Sequence, residues 1–223
     1  MKTFIILPAF NEASVIASVI EKLRSNGFDN IIVIDDGSSD DTFNIAQDCG
    51  VLCVQHILNR GLGGALGTGM ELALLKGANI IATFDADGQH DVEDLKNTIE
   101  VLKNENYDVI IGSRMLNSNG MPLIRKLFNF VGNFVTYFLF GLYVTDSQSG
   151  LRVFSRDAAL KIGLKTNRME VSSEIIREIK QNKLRFKEVP IRAIYTEYSL
   201  SKGQSFVVGI KTFIKLVFHR FMS

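Results

Sequence analysis

Short runs of β-branched and aliphatic residues recur along the chain, each stopped by a cluster of small or acidic residues. Residues 3–7 form the first run, ended by Pro8, and 31–34 the second, ended by Asp35-Asp36-Gly37. Runs at 51–54 and 80–84 follow, then 109–111, closed by Gly112. Between them, helical patterns cover 14–25, 40–48, 67–76 and 92–104. Strands alternating with helices of this length predict an α/β protein with a doubly wound, mostly parallel sheet flanked by helices. Ligands in such sheets sit beyond the carboxyl ends of the strands, where the strand order reverses. Three polar clusters fall at such ends: Pro8-Ala9-Phe10-Asn11-Glu12, residues 35–41 and residues 85–90.

The second half reads differently. Residues 127–145 carry no charge and crowd together Phe128, Phe130, Phe134, Tyr137, Phe138, Phe140 and Tyr143, with Arg125-Lys126 at the leading edge. Asn129, Gly132, Asn133 and Thr136 interrupt the stretch, which argues against a span of about 20 apolar residues. It is expected to lie in a membrane interface or cover a lipid groove; a helix buried against the sheet is the alternative. After Glu197 the tail has no acid, and Lys211, Lys215 and His219 repeat opposite Ile210, Phe213, Ile214, Val217 and Phe221. That pattern suits an anionic bilayer, a partner subunit or packing on its own domain. The division expected is one domain over 1–205, with 206–223 a basic helix of the same domain or a peripheral membrane contact.

Composition narrows the classes. At 223 residues and 46% hydrophobic, the chain can bury one full core. A net charge of +1 argues against a nucleic-acid binder. Cys49 and Cys53 read as small hydrophobes in a reducing compartment. Met1-Lys2 runs into a strand-like segment and not a leader peptide, so a cytoplasmic location is expected.

The chemistry centres on Asp85-Ala86-Asp87. A buried strand delivers two carboxylates two residues apart, on one side of the backbone. Such a pair calls for a counter-charge, usually a divalent metal, and Gln89 offers a third oxygen. Open positions on Mg²⁺ or Mn²⁺ go to substrate phosphates. Asp36 can accept from a base N–H or a ribose hydroxyl; Asn11 and Glu12 can serve the ribose or cap the next helix. Ser38 to Asp41 read as an acidic turn with a helix cap. Asn59-Arg60-Gly61-Leu62-Gly63-Gly64-Ala65 fits either a phosphate contact or close packing of a helix on the sheet, since Leu66 breaks the dinucleotide fingerprint. Phe84-Asp85-Ala86-Asp87-Gly88 also matches a phosphatase opening, but it follows the fourth strand, not the first.

Taken in order, Pro8-Ala9-Phe10-Asn11-Glu12, Asp35-Asp36-Gly37-Ser38, Asn59-Arg60-Gly61, Asp85-Ala86-Asp87-Gly88-Gln89-His90 and Gly112-Ser113-Arg114 resemble the family 2 glycosyltransferases of GT-A fold. Asp146-Ser147-Gln148-Ser149-Gly150-Leu151-Arg152, Val189-Pro190-Ile191 and Ser201-Lys202-Gly203-Gln204-Ser205 resemble the dolichyl-phosphate-mannose-synthase-like branch, with Leu151 where an aromatic is commoner. The resemblance implies that Pro8, Ala9, Asn11, Glu12, Asp36, Gly37, Arg60, Asp85, Ala86 and Asp87 bind a UDP- or GDP-linked sugar. It implies Asp85, Asp87 and Gln89 as ligands of Mg²⁺ or Mn²⁺, and Asp87, Arg114, Asp146 and Arg152 as the catalytic set. Arg114, Arg125, Lys126 and Lys202 would face the phosphate of a polyprenyl phosphate acceptor. Such an acceptor is already ionised near neutral pH, whereas a sugar hydroxyl needs a general base. Asp146 and Glu170 are the candidate bases in that second case, or else structural partners of Arg152 or a lysine. The chain has no Trp, which excludes the Gln-x-x-Arg-Trp segment of processive polysaccharide synthases. The function expected is inverting transfer of a hexose to polyprenyl phosphate at the cytoplasmic membrane face. A saccharide acceptor and a non-catalytic nucleotide-sugar-binding subunit are the alternatives, and exposed aromatics leave a homo-oligomer open.

Overall fold

The computed structural model describes residues 1–118, 121, 123–192 and 194. Lys202, the 201–205 motif and the 206–223 segment expected to form a basic helix lie outside the described residues. Seven strands form one sheet: β1 (Thr3–Ala9), β2 (Ile31–Asp35), β3 (Leu52–Gln55), β4 (Ile80–Thr83), β5 (Val109–Ser113), β6 (Arg152–Ser155) and β7 (Phe186–Pro190). Their order is β3-β2-β1-β4-β6-β5-β7, with every pairing parallel except those of β6. The doubly wound, mostly parallel sheet read from the sequence is the sheet observed.

Alternation along each strand sends side chains to two cores. Ile5, Leu7, Val33 and Ala82 meet α1 (Ile16–Ser25), α2 (Thr42–Asp48) and α4 (Val92–Asn104) on one face. Ile6, Ile32, Ile34 and Ile81 meet α3 (Leu62–Leu75), α6 (Arg156–Lys161) and α7 (Val171–Gln181) on the other. Both faces are covered, which is why the strands read as continuous apolar runs.

Two elements depart from expectation, and for a third the buried-helix alternative fails. Pro8 does not end β1, which runs on to Ala9. The Ile6 carbonyl accepts from Phe84 and the Ala9 carbonyl from Asp36, so alternate residues face β4 and β2 in turn. Pro8 faces the β4 side, where pairing stops at Ile6 and Thr83, and its missing N–H breaks no ladder bond. Pairing of β1 with β4 thus stops short at the reversal in strand order, where sheets of this kind have their ligand crevice.

Helix α3 starts at Leu62, inside the glycine-rich segment and not after it. Gly69 lies against β1: a Cβ there would stand 2.4 Å from Ile6 Cγ2. Close packing of helix on sheet thus accounts for part of the glycine content.

Helix α5 (Leu123–Phe140) is not a core helix. Among the described residues it buries its polar Asn133 and Thr136 and exposes Leu127, Phe128, Phe130, Phe134, Tyr137 and Phe138. The helix stops at Phe140, and residues 141–145 return to the sheet as a loop. No described helix is long and apolar enough to cross a membrane.

Candidate active site

The acid pair follows β4 directly. Asp85 is half-buried, and its Oδ2 lies 2.9 Å from His90 Nε2. It presses on Gly150, where a Cβ would fall 2.0 Å from the same oxygen, so only glycine fits there. Burial alone would push the Asp85 carboxyl up, but the His90 hydrogen bond and the charges of His90, Arg114 and Arg152 hold it below the usual carboxylate range. Asp87 accepts from the Gln89 amide at 3.0 Å. Its carboxyl is pushed up to about 6, first by burial and then by the negative charge of Asp85, with Glu12 adding to the rise.

Two arginines act on the first of these acids, Asp85. Arg114 follows β5 and donates to buried Asp146 three times: backbone N to Oδ2 at 3.0 Å, Nε to Oδ2 at 2.7 Å and Nη2 to Oδ1 at 2.9 Å. Arg152 is placed by the one strand that runs backwards. Because β6 is antiparallel, its first residue lies level with Thr83 and Ile111, at the edge where β4 and β5 end. Arg152 is 1% exposed and donates from Nη2 to the Ser147 carbonyl at 2.9 Å, while its buried Nε has no partner among the described residues. Burial lowers its guanidinium to about 10, against the opposing pull of Asp85 and Asp146. The partner of Asp146 is therefore Arg114, not the Arg152 expected of a structural carboxylate.

Across the crevice, the loops after β1 and β2 interlock. Asn11, at φ +56°, donates from its amide to Ser38 Oγ at 2.9 Å, and its Oδ1 accepts from the Ser39 amide at 2.9 Å. The Glu12 amide donates to Thr42 Oγ1 at 2.8 Å, and buried Glu12 contributes to the field at Asp87. Asp36 takes the Arg60 and Gly61 amides at 2.9 and 2.6 Å and pairs with His56 Nδ1 at 2.7 Å. It therefore anchors the entrance to α3, where Gly37 also packs on the backbone of Asn59. The acidic turn behaves as a cap: Asp40 Oδ1 accepts from the Thr42 amide at 3.1 Å.

The remaining candidates are distributed more widely. Pro8 and Ala9 form the wall of the crevice on β1, and Ala86 is buried between the two acids. Arg60 is exposed, and its stem packs on Gly64. Arg125 and Lys126 sit half-buried early in α5. Glu170 is buried at the start of α7. His56 and His90 were missed by sequence reasoning, and each holds one of the proposed carboxylates. His90 carried a signal, since it closes the 85–90 cluster; His56, 20 residues from Asp36, carried none.

The donor set suits a hard divalent cation. The negative charge of Asp85 raises the proton affinity of Asp87, and Gln89 brings a neutral oxygen. No group of three or more His, Cys, Asp or Glu side chains forms a cage among the described residues. Mg²⁺ and Mn²⁺ accept such sparse ligation, completing their shell with water and phosphate oxygens. Cation binding must expel the Asp87 proton, so affinity is expected to be level above about pH 7 and to fall about tenfold per unit below about pH 6. Calorimetric titration with Mn²⁺ across that range checks this; an affinity independent of pH would count against Asp87 as ligand.

Comparison with known proteins agrees with this geometry. The profile of Glycosyl transferase family 2 matches residues 4–163. A UDP-N-acetylglucosamine–dolichyl-phosphate N-acetylglucosaminyltransferase of Methanococcus voltae is 40% identical over 236 residues, covering 96% of this chain and 94% of that protein. An undecaprenyl-phosphate mannosyltransferase of Micrococcus luteus is 28% identical over 221 residues, covering 94% and 90%. Among solved structures, Mycobacterium tuberculosis glucosyl-3-phosphoglycerate synthase, in complex with Mn²⁺, UDP-glucose and phosphoglyceric acid, superposes with a TM-score of 0.75 at 18% identity, covering 98% of this chain and 79% of the other. The sheet order, the crevice and the motifs along it agree with this match: the chain is a glycosyltransferase of GT-A fold and belongs to glycosyl transferase family 2.

Proposed function

We propose that this chain transfers a hexose from a UDP- or GDP-linked sugar to a polyprenyl phosphate, with inversion at the anomeric carbon and dependence on Mg²⁺ or Mn²⁺. The observation that carries the reading is that Arg114 and Arg152 both act on Asp85, the first carboxylate of the acid pair. Asp85, Asp87 and Gln89 would hold the divalent cation, which would supply positive charge to the diphosphate leaving group. Asn11, Glu12 and Asp36, on the opposite wall, are assigned to the base and ribose. The two arginines offset the repulsion between two phosphate-bearing substrates and hold them in register.

A phosphate acceptor needs no general base, because its oxygen is ionised near neutral pH. Asp146, one of the two candidate bases for a hydroxyl acceptor, has both oxygens committed to Arg114. The prenyl-phosphate activities named for the relatives at 40% and 28% identity support the same acceptor. An ionised oxygen attacking opposite the diphosphate inverts the anomeric carbon in a single displacement.

A prenyl acceptor brings the protein to a membrane surface, and α5 suits that contact. Moving an exposed phenylalanine fully out of water is worth about 1.5–3 kcal/mol, and Phe128, Phe130, Phe134 and Phe138 all face outward. Arg125 and Lys126 stand beside them, each worth about 1 kcal/mol at an anionic surface. Replacing both with Ala is expected to weaken sedimentation with anionic vesicles at low salt, and the difference should vanish at high salt. Phe134→Ser with Phe138→Ser should weaken it at every salt concentration. Binding unchanged in both variants would exclude α5 as the contact.

Radiolabelled UDP- and GDP-sugars incubated with and without polyprenyl phosphate, then extracted into organic solvent, test the function. Metal-dependent label in the organic phase is expected. Label confined to aqueous oligosaccharide would identify a saccharide acceptor, and no turnover of any donor would leave a binding subunit.

A further inference from the structure

The turn 145–147 holds both site arginines, through the Asp146 carboxylate and the Ser147 carbonyl. It belongs to no strand or helix, so its backbone groups need partners from elsewhere. Two side chains provide them. Glu188, on β7, accepts from the Thr145 amide at 2.9 Å on both oxygens, from Thr145 Oγ1 at 2.8 Å and from the Asp146 amide at 3.1 Å. Asn133, on α5, accepts from the Ser147 amide and hydroxyl at 2.8 Å each and donates from Nδ2 to the Thr145 carbonyl. Three consecutive amides of the turn thus go to two side chains from separate elements. Thr145 Oγ1 also pairs with Ser113 Oγ at 2.6 Å, next to Arg114 in the chain.

We propose that Glu188 and Asn133 are positioning residues that set Arg114 and Arg152 by clamping the 145–147 turn from opposite sides. Bonds to an ionised acceptor are shorter and about twice as strong as neutral ones, so Glu188 is the firmer anchor. Glu188→Gln keeps the shape, removes the charge and turns an N–H₂ toward amides that themselves donate. Asn133→Asp keeps the acceptor for Ser147 and sets a carboxylate oxygen against the Thr145 carbonyl. Either change lets Asp146 drift and takes Arg114 with it. The catalytic consequence rests on the transfer reaction proposed above; the clamp itself does not.

The experiment has one arm that needs no substrate. In ¹⁵N-labelled protein the Arg114 Nε–H, held by Asp146, should give a distinct resonance, identified by its loss in Arg114→Lys. Glu188→Gln and Asn133→Asp are expected to shift or broaden it, and a resonance unmoved in both would overturn the proposal. In the second arm, Glu188→Gln should lower kcat of transfer on the order of 10- to 100-fold with donor KM within about twofold. In an Arg114→Ala background the same change should cost clearly less, since of the two arginines it disturbs only Arg152 remains. An equal loss in both backgrounds would mark general destabilisation and overturn the positioning role. Should the wild-type chain transfer no sugar at all, that failure falls on the proposed reaction, and the resonance alone decides the clamp.

Discussion

Asp87→Asn is expected to abolish sugar transfer while leaving the fold in place. The carboxylate is half-buried beside Asp85, and its proton affinity is raised first by burial and then by the negative charge of Asp85. An amide is the same size and keeps an oxygen for the Gln89 amide, so the loop retains its local bond. What it lacks is half of the charge available to a divalent cation. Loss of about 4 kcal/mol of leaving-group stabilisation is about a thousandfold in rate. The check is kcat/KM at saturating Mn²⁺ beside a denaturation curve; near-wild-type turnover would remove Asp87 from the site.

Asp146→Asn should be the most damaging change to stability. The carboxylate is fully buried and takes three donors from Arg114, with the buried Arg152 close by. Removing its charge leaves Arg114 without its forked partner and buried Arg152 with Asp85 alone as counter-charge. Breaking a buried pair from one side costs about 3–5 kcal/mol, and partial exposure of Arg114 puts the loss nearer 3. Transfer should fall with it, because Arg114 loses the fork that orients it. Urea denaturation reads the first effect and organic-phase label the second. If the variant were as stable as the parent, Asp146 would not be the anchor described.

How much of this could be read in the chain depends on which physical signal each element leaves. Strands buried on both faces announce themselves as apolar runs, and β1, β2, β4 and β5 were found within two residues at each end. Pro8 misled because a proline ends a strand only where its missing N–H would face a partner. Helix α3 was read as starting late because glycine suggests a loop, yet here it lets the helix approach Ile6. The antiparallel β6 left no signal: Arg152-Val153-Phe154-Ser155 is too short to show a period. Its direction is what carries Arg152 to the site.

Helix α5 is the instructive case. Its aromatic density fits a core or an interface equally, and only packing tells them apart. The residues that seemed to interrupt it, Asn133 and Thr136, are the ones turned inward, where Thr136 Oγ1 meets Ser173 Oγ at 2.9 Å. The site carboxylates were legible as strand-end clusters, and His90 closes one of them, whereas the holders distant in sequence were not legible. His56, Glu188 and Asn133 approach from 20, 42 and 14 residues away in sequence, and no local pattern encodes such contacts.

The central claim, that Asp85 and Asp87 hold a divalent cation against the diphosphate of a nucleotide sugar, is tested most directly by titrating the protein with Mn²⁺ under electron paramagnetic resonance, with and without UDP or GDP. Binding of one Mn²⁺ that tightens when one of the nucleotides is added, and that is lost in Asp87→Asn, is the expected result. Mn²⁺ affinity indifferent to both nucleotides, or unchanged in the variant, would contradict it.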